Sequence, residues 1–198
     1  MTKNIIQIIF KTASALNIPA VIIGGLALPA YNVSRSTIDI DICIYVETQE
    51  ILDRFIENLK MNNIKSLQSP KIDHDLFTVF GENNEAEIWL NPCSTFNWDE
   101  QMSEKRRPFS SYVYVLAIED FILTKLARND RSSIDIDDIM QVMITNKSTI
   151  DWEYLHYRLR WKDLVEDFKN ILKAFKADLD KNMREISKDI LEQFRNNN

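Results

Sequence analysis

Two aspartates separated by one residue lie within an apolar run, residues 38–44, which reads Ile-Asp-Ile-Asp-Ile-Cys-Ile. Side chains along a strand point alternately to its two faces. The pattern therefore predicts a strand, 38–46, with Asp39 and Asp41 on one face and Ile38, Ile40 and Ile42 in the core. Burying an unpaired charge is costly, so the two carboxylates should face a cation, a cleft or both. A pair of salt-bridged residues on an exposed edge strand is the alternative.

A glycine pair precedes this strand. The apolar run 20–23 predicts a short buried strand, after which Gly24 and Gly25 turn the chain into a predicted helix, 26–32. Glycine has no side chain, so backbone N–H groups at such a turn can approach an anion, which the positive end of the helix also favours. A plain tight turn would contain the same two residues, so the pair alone does not decide between these interpretations.

Two further strands are predicted at 76–80 and 85–90, on either side of a polar turn, Gly-Glu-Asn-Asn. They are expected to form a hairpin. The second strand places Glu87 among apolar residues, which repeats the pattern of the two aspartates. Glu87 by itself would fit a solvated strand residue, and its expected place beside the aspartate-bearing strand makes it a candidate ligand.

Segments with helical periodicity and segments with alternating polarity follow one another along the chain. An apolar content of 45% and a charged content of 27% are typical of a globular protein. Helices are predicted at 3–16, 26–32, 47–61, 117–129, 134–144, 151–159, 162–177 and 179–194, and strands at 20–23, 38–46, 76–80, 85–90 and 112–116. The predicted fold is α+β, with strands and helices in residues 1–116, followed by a helical C-terminal domain in residues 117–198.

The formal net charge of -6 argues against a protein that coats nucleic acid with its whole surface. A local exception is the basic triplet Lys105, Arg106 and Arg107, within the least regular stretch of the chain, 91–110. The triplet predicts either a solvated loop or a surface that contacts phosphate groups.

Cysteine use and the N-terminal residues indicate the compartment. Cys43 and Cys93 are not spaced as a metal site, and we expect both to be reduced thiols. The apolar run 5–10 contains Gln7 and precedes Lys11, so it is too short and too polar for a signal peptide or a membrane span. We therefore expect a cytoplasmic protein with no membrane contact.

Three carboxylates are expected on neighbouring strands, those of Asp39, Asp41 and Glu87. Carboxylate oxygens are the donors that hard divalent cations bind. Two Mg²⁺ ions held in this way can activate an attacking hydroxyl group and stabilise a pyrophosphate leaving group. The glycine turn would then hold a triphosphate.

The glycine pair and the segment 35–41, Arg-Ser-Thr-Ile-Asp-Ile-Asp, together resemble the signature of the DNA polymerase β-like nucleotidyltransferase superfamily. The resemblance is strongest to its compact prokaryotic branch, which includes the AbiEii-type toxins. Two later segments extend it: 116–126, where an acidic pair precedes Lys-Leu, and 135–139, which is similar to an Asp-x-x-Asp helix of the family.

This resemblance implies a nucleotidyltransferase-like mixed β-sheet flanked by helices, followed by a helical C-terminal region. It also implies an enzyme that moves an NMP unit from an NTP, such as ATP, to a hydroxyl acceptor with Mg²⁺ as cofactor. It assigns catalysis and metal binding to Asp39, Asp41 and Glu87. It assigns nucleotide binding to Gly24, Gly25, Arg35, Thr37 and Lys125. A lysine ammonium can neutralise triphosphate charge, although a lysine on an amphipathic helix is also commonly solvated.

The resemblance also implies tRNA as one acceptor and a cognate antitoxin as a partner. A non-catalytic nucleotidyltransferase-like module that binds a nucleotide or a protein is the alternative. Two departures from the family pattern favour it: Leu26 stands where serine is common, and Ile134 stands where a basic residue is expected. Asp135, Asp137 and Asp138 are expected to charge the first turn of their helix rather than to act in catalysis.

Overall fold

The computed structural model describes residues 4–178, 188–190 and 192–194. The described helices are α1 (Ile5–Ala15), α2 (Gln49–Met61), α3 (Glu100–Lys105), α4 (Ile118–Leu126), α5 (Ser133–Asn146), α6 (Trp152–Trp161) and α7 (Val165–Asp178), with a 3-10 helix at Gly24–Tyr31. The strands are β1 (Ala20–Ile22), β2 (Asp41–Ile44), β3 (Lys65–Ser66), β4 (Leu76–Phe80), β5 (Glu85–Trp89), β6 (Arg107–Ser110) and β7 (Val113–Val115). The chain divides into two compact units, Met1–Ala30 with Arg35–Ala117, and Tyr31–Ser34 with Ile118–Asn198.

A mixed seven-stranded sheet forms the framework of the first unit, in the order β3-β4-β5-β2-β1-β7-β6. The pairs β1–β7 and β2–β5 are parallel, and the other neighbouring pairs are antiparallel. Helices flank this sheet, and they precede and follow its strands in the sequence. The C-terminal part of the described chain is helical. The predicted α+β fold is therefore confirmed.

Strands β4 and β5 form the predicted hairpin, and their side chains alternate between buried and open positions. Phe77, Val79, Ala86 and Ile88 are buried and contribute to the core. The intervening residues of both strands are half-buried or exposed. One face of this hairpin is therefore packed, and the other remains accessible.

Strand β2 begins later than the sequence pattern predicts. It covers Asp41–Ile44, and the predicted core residue Ile38 is 94% exposed. The reason is that β1 leaves the sheet at the glycine turn. The hydrogen bond of 2.9 Å from the Ile23 N–H to the Asp41 carbonyl is therefore the last one between β1 and β2 at this end. Asp39 consequently precedes the strand.

The predicted helix 26–32 is present as the 3-10 helix Gly24–Tyr31, which contains Pro29, a residue that has no N–H to donate to an α-helical hydrogen bond. Another prediction of local structure was wrong. The stretch 91–110, predicted as irregular, contains α3 and β6. Helix α3 begins where the Asp99 side chain accepts a hydrogen bond from the Met102 N–H, and Met102 is buried.

Helix α4 connects to α6 through two buried acidic side chains. The Glu119 carboxylate accepts a hydrogen bond of 2.7 Å from the N–H of Asp151, the residue that caps α6. Asp120 accepts a hydrogen bond of 2.9 Å from the Tyr154 hydroxyl, and its carboxylate lies 2.7 Å from the Arg158 guanidinium. The acidic pair of α4 therefore joins two helices of the second unit.

His156 of α6 contacts the last described residues of the chain. Its ring is buried, its Nε2 lies 2.9 Å from the Phe194 carbonyl oxygen, and it stacks on the Phe194 ring with centroids 3.9 Å apart. Residues 188–190 and 192–194 are helical, and the rest of the predicted helix 179–194 lies outside the described residues. None of the helices in the described ranges combines the length and the apolar character that a membrane span requires.

Removal of the Asp120 carboxylate should strongly destabilise the protein. Asp120→Ala leaves the buried Arg158 without its counter-charge, and we expect a loss of about 3–5 kcal/mol in the free energy of unfolding. The matched control is Asp189→Ala, since Asp189 pairs with Lys147 at 2.7 Å but both side chains are at least 40% exposed. We expect the control to lose at most about 1 kcal/mol. Chemical denaturation measures both values, and equal losses would contradict the assigned role of Asp120.

Acidification should weaken the packing around His156. Burial lowers the pKa of His156, the bond to the Phe194 carbonyl acts in the opposite direction, and Arg160 and Lys169 lower the pKa further. The folded state therefore favours the neutral ring, and stability should fall as the pH drops below about 6.5, the ordinary pKa of histidine.

Thermal unfolding between pH 7.5 and pH 5.5 tests this expectation. His156→Gln removes the titrating group and should make the midpoint less dependent on pH than in the wild type. The exposed His74 provides the control, because His74→Gln should retain the wild-type dependence. If the His156→Gln profile superimposed on that of the wild type, the ring would have no part in the pH dependence.

Candidate active site

Gly24 and Asp41 are in contact where β1 leaves the sheet. Gly24 has a φ of 66°, in the left-handed region that glycine adopts without strain. The Asp41 carboxylate occupies the space in which a side chain at Gly24 would lie. A residue with a Cβ atom at this position would be strained and would collide with the carboxylate. Glycine is therefore needed for the turn and the acid to approach one another.

The second glycine has a similar relation to Arg35. The Arg35 guanidinium occupies the position that a Cβ atom on Gly25 would take, and the Thr37 methyl group would lie 3.1 Å from that atom. The Thr37 hydroxyl also accepts a hydrogen bond of 3.3 Å from the Asp39 N–H. The segment 35–39 therefore packs against the glycine turn, and the Arg35 guanidinium lies next to Gly25.

Asp41 and Glu87 are neighbours across the parallel strands β2 and β5. They are partners in the register, and the Glu87 N–H donates a hydrogen bond of 2.9 Å to the Ile40 carbonyl. Register partners in a sheet project to the same face. Asp41 is half-buried, whereas Glu87 and Asp39 are exposed. The structure thus places two of the predicted carboxylates side by side and the third two residues earlier, outside the strand.

The residues at this turn suit a magnesium ion that is shared with a substrate. In the part of the chain that the structure describes, no three Asp, Glu, His or Cys side chains form a group able to hold a metal ion. Mg²⁺ commonly binds through one or two carboxylates together with substrate phosphates and water. The hard oxygen donors of Asp41 and Glu87, beside a glycine turn that an anion can approach, have the chemistry of such a site.

A thiol lies close in sequence to these acids but does not act as a nucleophile. Cys43 is buried in β2, two residues after Asp41. Burial raises the pKa of the Cys43 thiol far above its usual range. The thiolate is the nucleophilic form of cysteine, so Cys43 contributes to the core and not to chemistry.

Lys125 lies in the second unit, where its ammonium binds two carboxylates. Its Nζ is 2.8 Å from Asp135 and 3.0 Å from Asp138, and its side chain is 8% exposed. Lys125 is therefore not the solvated lysine that its helix pattern also allowed. These two bonds link α4 to the first turns of α5. Nucleotide contact by Lys125 stays a prediction.

Asp135 also caps the helix that it begins. Ser132 and Asp135 form a capping box, in which the Ser132 side chain accepts from the Asp135 N–H and the Asp135 carboxylate accepts from the Ser132 N–H. Burial by itself would raise the pKa of Asp135, but the bonds from Lys125 and Ser132 outweigh it and hold that pKa below its usual value. The expected role of Asp135 in the first turn of α5 matches this geometry.

Trp89 is a candidate site residue that lies beside Glu87 in the sheet and was not singled out from the sequence. It lies two residues after Glu87 in β5, so the two side chains share a face, and its register partner is Cys43. Trp89 is half-buried, and within the described residues its indole N–H is buried without a hydrogen-bond partner. The Glu-x-Trp spacing was the available signal.

The site therefore combines a mixed sheet, a glycine turn packed against a strand carboxylate, and a second carboxylate on the adjacent strand. A sequence comparison identifies the family. The family described as nucleotidyltransferase of unknown function (DUF6036) matches residues 2–190, so the chain belongs to it. No protein of curated function matches the chain significantly.

Solved structures of similar fold include the antibiotic-resistance factor ANT(2'')-Ia in solution, with 17% identity, coverage of 84% of this chain and 96% of that chain, and a TM-score of 0.50. A crystal structure of ANT(2'')-Ia with adenylyl-2''-tobramycin shows 16% identity, coverage of 77% and 91%, and a TM-score of 0.46. An antigenic nucleotidyltransferase-like protein from Paracoccidioides brasiliensis shows 19% identity, coverage of 86% of this chain and 91% of that chain, and a TM-score of 0.45. At 17% identity, the similarity to the solution structure of ANT(2'')-Ia shows a shared fold.

A methyl group at Gly24 should disturb both the turn and the acid. For Gly24→Ala we expect a loss of about 1–2 kcal/mol in the free energy of unfolding from the left-handed φ, and a displaced Asp41 carboxylate. Gly81→Ala is the matched control, because a Cβ atom there would meet its nearest neighbour at 3.4 Å, an ordinary contact. Urea denaturation and calorimetric titration with Mg²⁺-ATP measure the two effects. If the two variants behaved alike, the contact between Gly24 and Asp41 would have no special importance.

Proposed function

We propose that this protein transfers an NMP unit from an NTP to a hydroxyl group of an acceptor, with Mg²⁺ as cofactor. One observation carries the proposal: the Asp41 carboxylate is packed against Gly24, with Glu87 at the neighbouring register position. This contact joins a turn that can approach phosphate with acids that can bind a cation and accept a proton. Membership of a nucleotidyltransferase family supports the same reaction class.

In the proposed reaction, the acceptor oxygen forms a bond to the α-phosphorus of the NTP, and the bond from that phosphorus to the bridging oxygen breaks. Pyrophosphate leaves with the bonding electrons. Mg²⁺ would supply charge neutralisation for the phosphates and lower the pKa of the acceptor hydroxyl. Asp39 and Asp41 would hold the cation, and the exposed Glu87 would complete the site and receive the acceptor proton.

The triphosphate would be held by the glycine turn and the segment 35–37. The backbone N–H groups at Gly24 and Gly25 would donate hydrogen bonds to phosphate oxygens, beside the Asp41 carboxylate and the Arg35 guanidinium that occupy the two side-chain positions. The Arg35 guanidinium beside Gly25 can donate several hydrogen bonds to phosphate oxygens, and Thr37 can offer its hydroxyl. Nucleotide contact by Lys125, whose ammonium binds Asp135 and Asp138, stays a prediction, and this proposal does not require it.

For the acceptor, tRNA is the first candidate, and a toxin role with an antitoxin partner is the corresponding biological setting. Both follow from the resemblance to AbiEii-type toxins. The surface around β6 supports a nucleic-acid acceptor, because Arg107 and Phe109 are exposed there and the Arg106 guanidinium lies 4.7 Å from the centre of the Tyr114 ring. Basic groups interleaved with aromatic rings suit a phosphate backbone and its bases.

Transfer of label from NTPs tests the reaction. In the presence of Mg²⁺ and total tRNA, the double variant Asp39→Asn/Asp41→Asn should lose at least roughly 100-fold in activity, because even indirect supports of a metal site contribute 10–100-fold. The pair Asp73 and Asp75 has the same spacing and is exposed, so Asp73→Asn/Asp75→Asn is the matched control with the same change of charge.

The outcome also separates the alternative function. Equal incorporation by both double variants would exclude Asp39 and Asp41 from catalysis. Nucleotide binding without turnover, whether the acceptor offered is tRNA, protein or a small molecule, would favour a non-catalytic module. The exposed positions of Asp39 and Glu87 are compatible with this alternative as well.

A further inference from the structure

A cavity of about 750 Å³ lies in the first unit. Its lining includes none of the residues that were assigned to the candidate active site. Its walls come from α1, from the end of α2, from the hairpin turn 81–84 and from residues near the glycine turn. This volume falls within the range of about 300–1,000 Å³ that is typical of sites for small molecules. The cavity is therefore large enough to hold a ligand of that class.

The chemistry of the walls selects an uncharged ligand. Aliphatic residues, among them Ile6, Ile8 and Ile40, line the cavity together with asparagines such as Asn62 and Asn83. Glu82 is the charged residue of this lining, and it is exposed in the hairpin turn. A phosphate-bearing ligand would find no cation among these residues. A mainly apolar molecule with one or two hydrogen-bonding groups would match them.

Two side chains at this cavity are apolar yet almost fully exposed. Ile38 is 94% exposed and Met61 is 73% exposed. Burying such a side chain is favourable by about 1.5–3 kcal/mol, so a ligand that covered both would gain substantial binding energy. Exposed apolar side chains that line a cavity of this size are typical of a binding site.

The cavity also adjoins the segment that carries Asp39. Ile38 and Ile40 line the cavity, and they are the two neighbours of Asp39 in the sequence. Leu26, which follows the glycine pair directly, lines it as well. A molecule bound here would contact the chain on both sides of Asp39.

We propose that this cavity is a binding site for a small, neutral, mainly apolar molecule that rests on Ile38 and Met61. The site goes beyond the proposed nucleotidyl transfer and does not depend on it.

Titration of the full chain with Nile red, a neutral apolar fluorophore, tests the site. We expect saturable binding that Ile38→Asp and Met61→Lys each weaken at least tenfold, because each introduces a charge beside the dye. Leu67→Asp is the matched control, since Leu67 is 84% exposed and lies outside the cavity lining. It should change the affinity less than twofold. Thermal unfolding of all four proteins verifies that each is folded.

Absence of saturable dye binding, or an equal loss in all three variants, would overturn the proposal. The catalytic variant Asp39→Asn/Asp41→Asn separates this result from the proposed function, because it should still bind the dye while it loses nucleotidyl transfer.

Discussion

The contact between Gly24 and the Asp41 carboxylate determines how the first unit presents its chemistry. Gly24 adopts a left-handed conformation, and β1 leaves the sheet at that point. The ladder between β1 and β2 therefore ends at the bond from the Ile23 N–H to the Asp41 carbonyl. The same turn sets the start of β2, the position of its acid and the approach to the backbone N–H groups. A single residue without a side chain makes all three compatible.

This dependence explains which features could be predicted from the sequence. The hairpin of β4 and β5 was predictable, because its alternating polarity and polar turn are local signals. The place of Asp41 beside Glu87 was also predictable, since both acids interrupt apolar strands. The exposure of Ile38 was not, because the start of β2 is set by the end of its partner β1 rather than by the isoleucine pattern. The alternation of apolar and polar residues indicates which face of the sheet a residue would occupy, but it does not indicate where the pairing of two strands ends.

The charged residues of α4 show a second limit of sequence interpretation. A lysine on a helix suits a triphosphate, a carboxylate or water equally well, and only the fold reveals that Asp135 and Asp138 bind Lys125. The acidic pair of α4 likewise has partners more than thirty residues away, at Asp151, Tyr154 and Arg158. Buried charges need such partners, so the motif in α4 is explained within the second unit as a link between helices.

The surfaces that would distinguish one acceptor from another are built differently from the glycine turn. The turn depends on backbone conformation and on a contact that no Cβ atom can enter, so its residues have little freedom to change. Trp89 and Phe109, by contrast, project from strand positions that are half-buried or exposed, where other side chains would leave the hydrogen bonds of the sheet intact. The reaction class can therefore be inferred from residues 24–41, because their geometry is restrictive. In the proposed function, acceptor choice would depend on positions where the fold tolerates many residues, and for that reason it has to be established by the chemistry of the surfaces themselves.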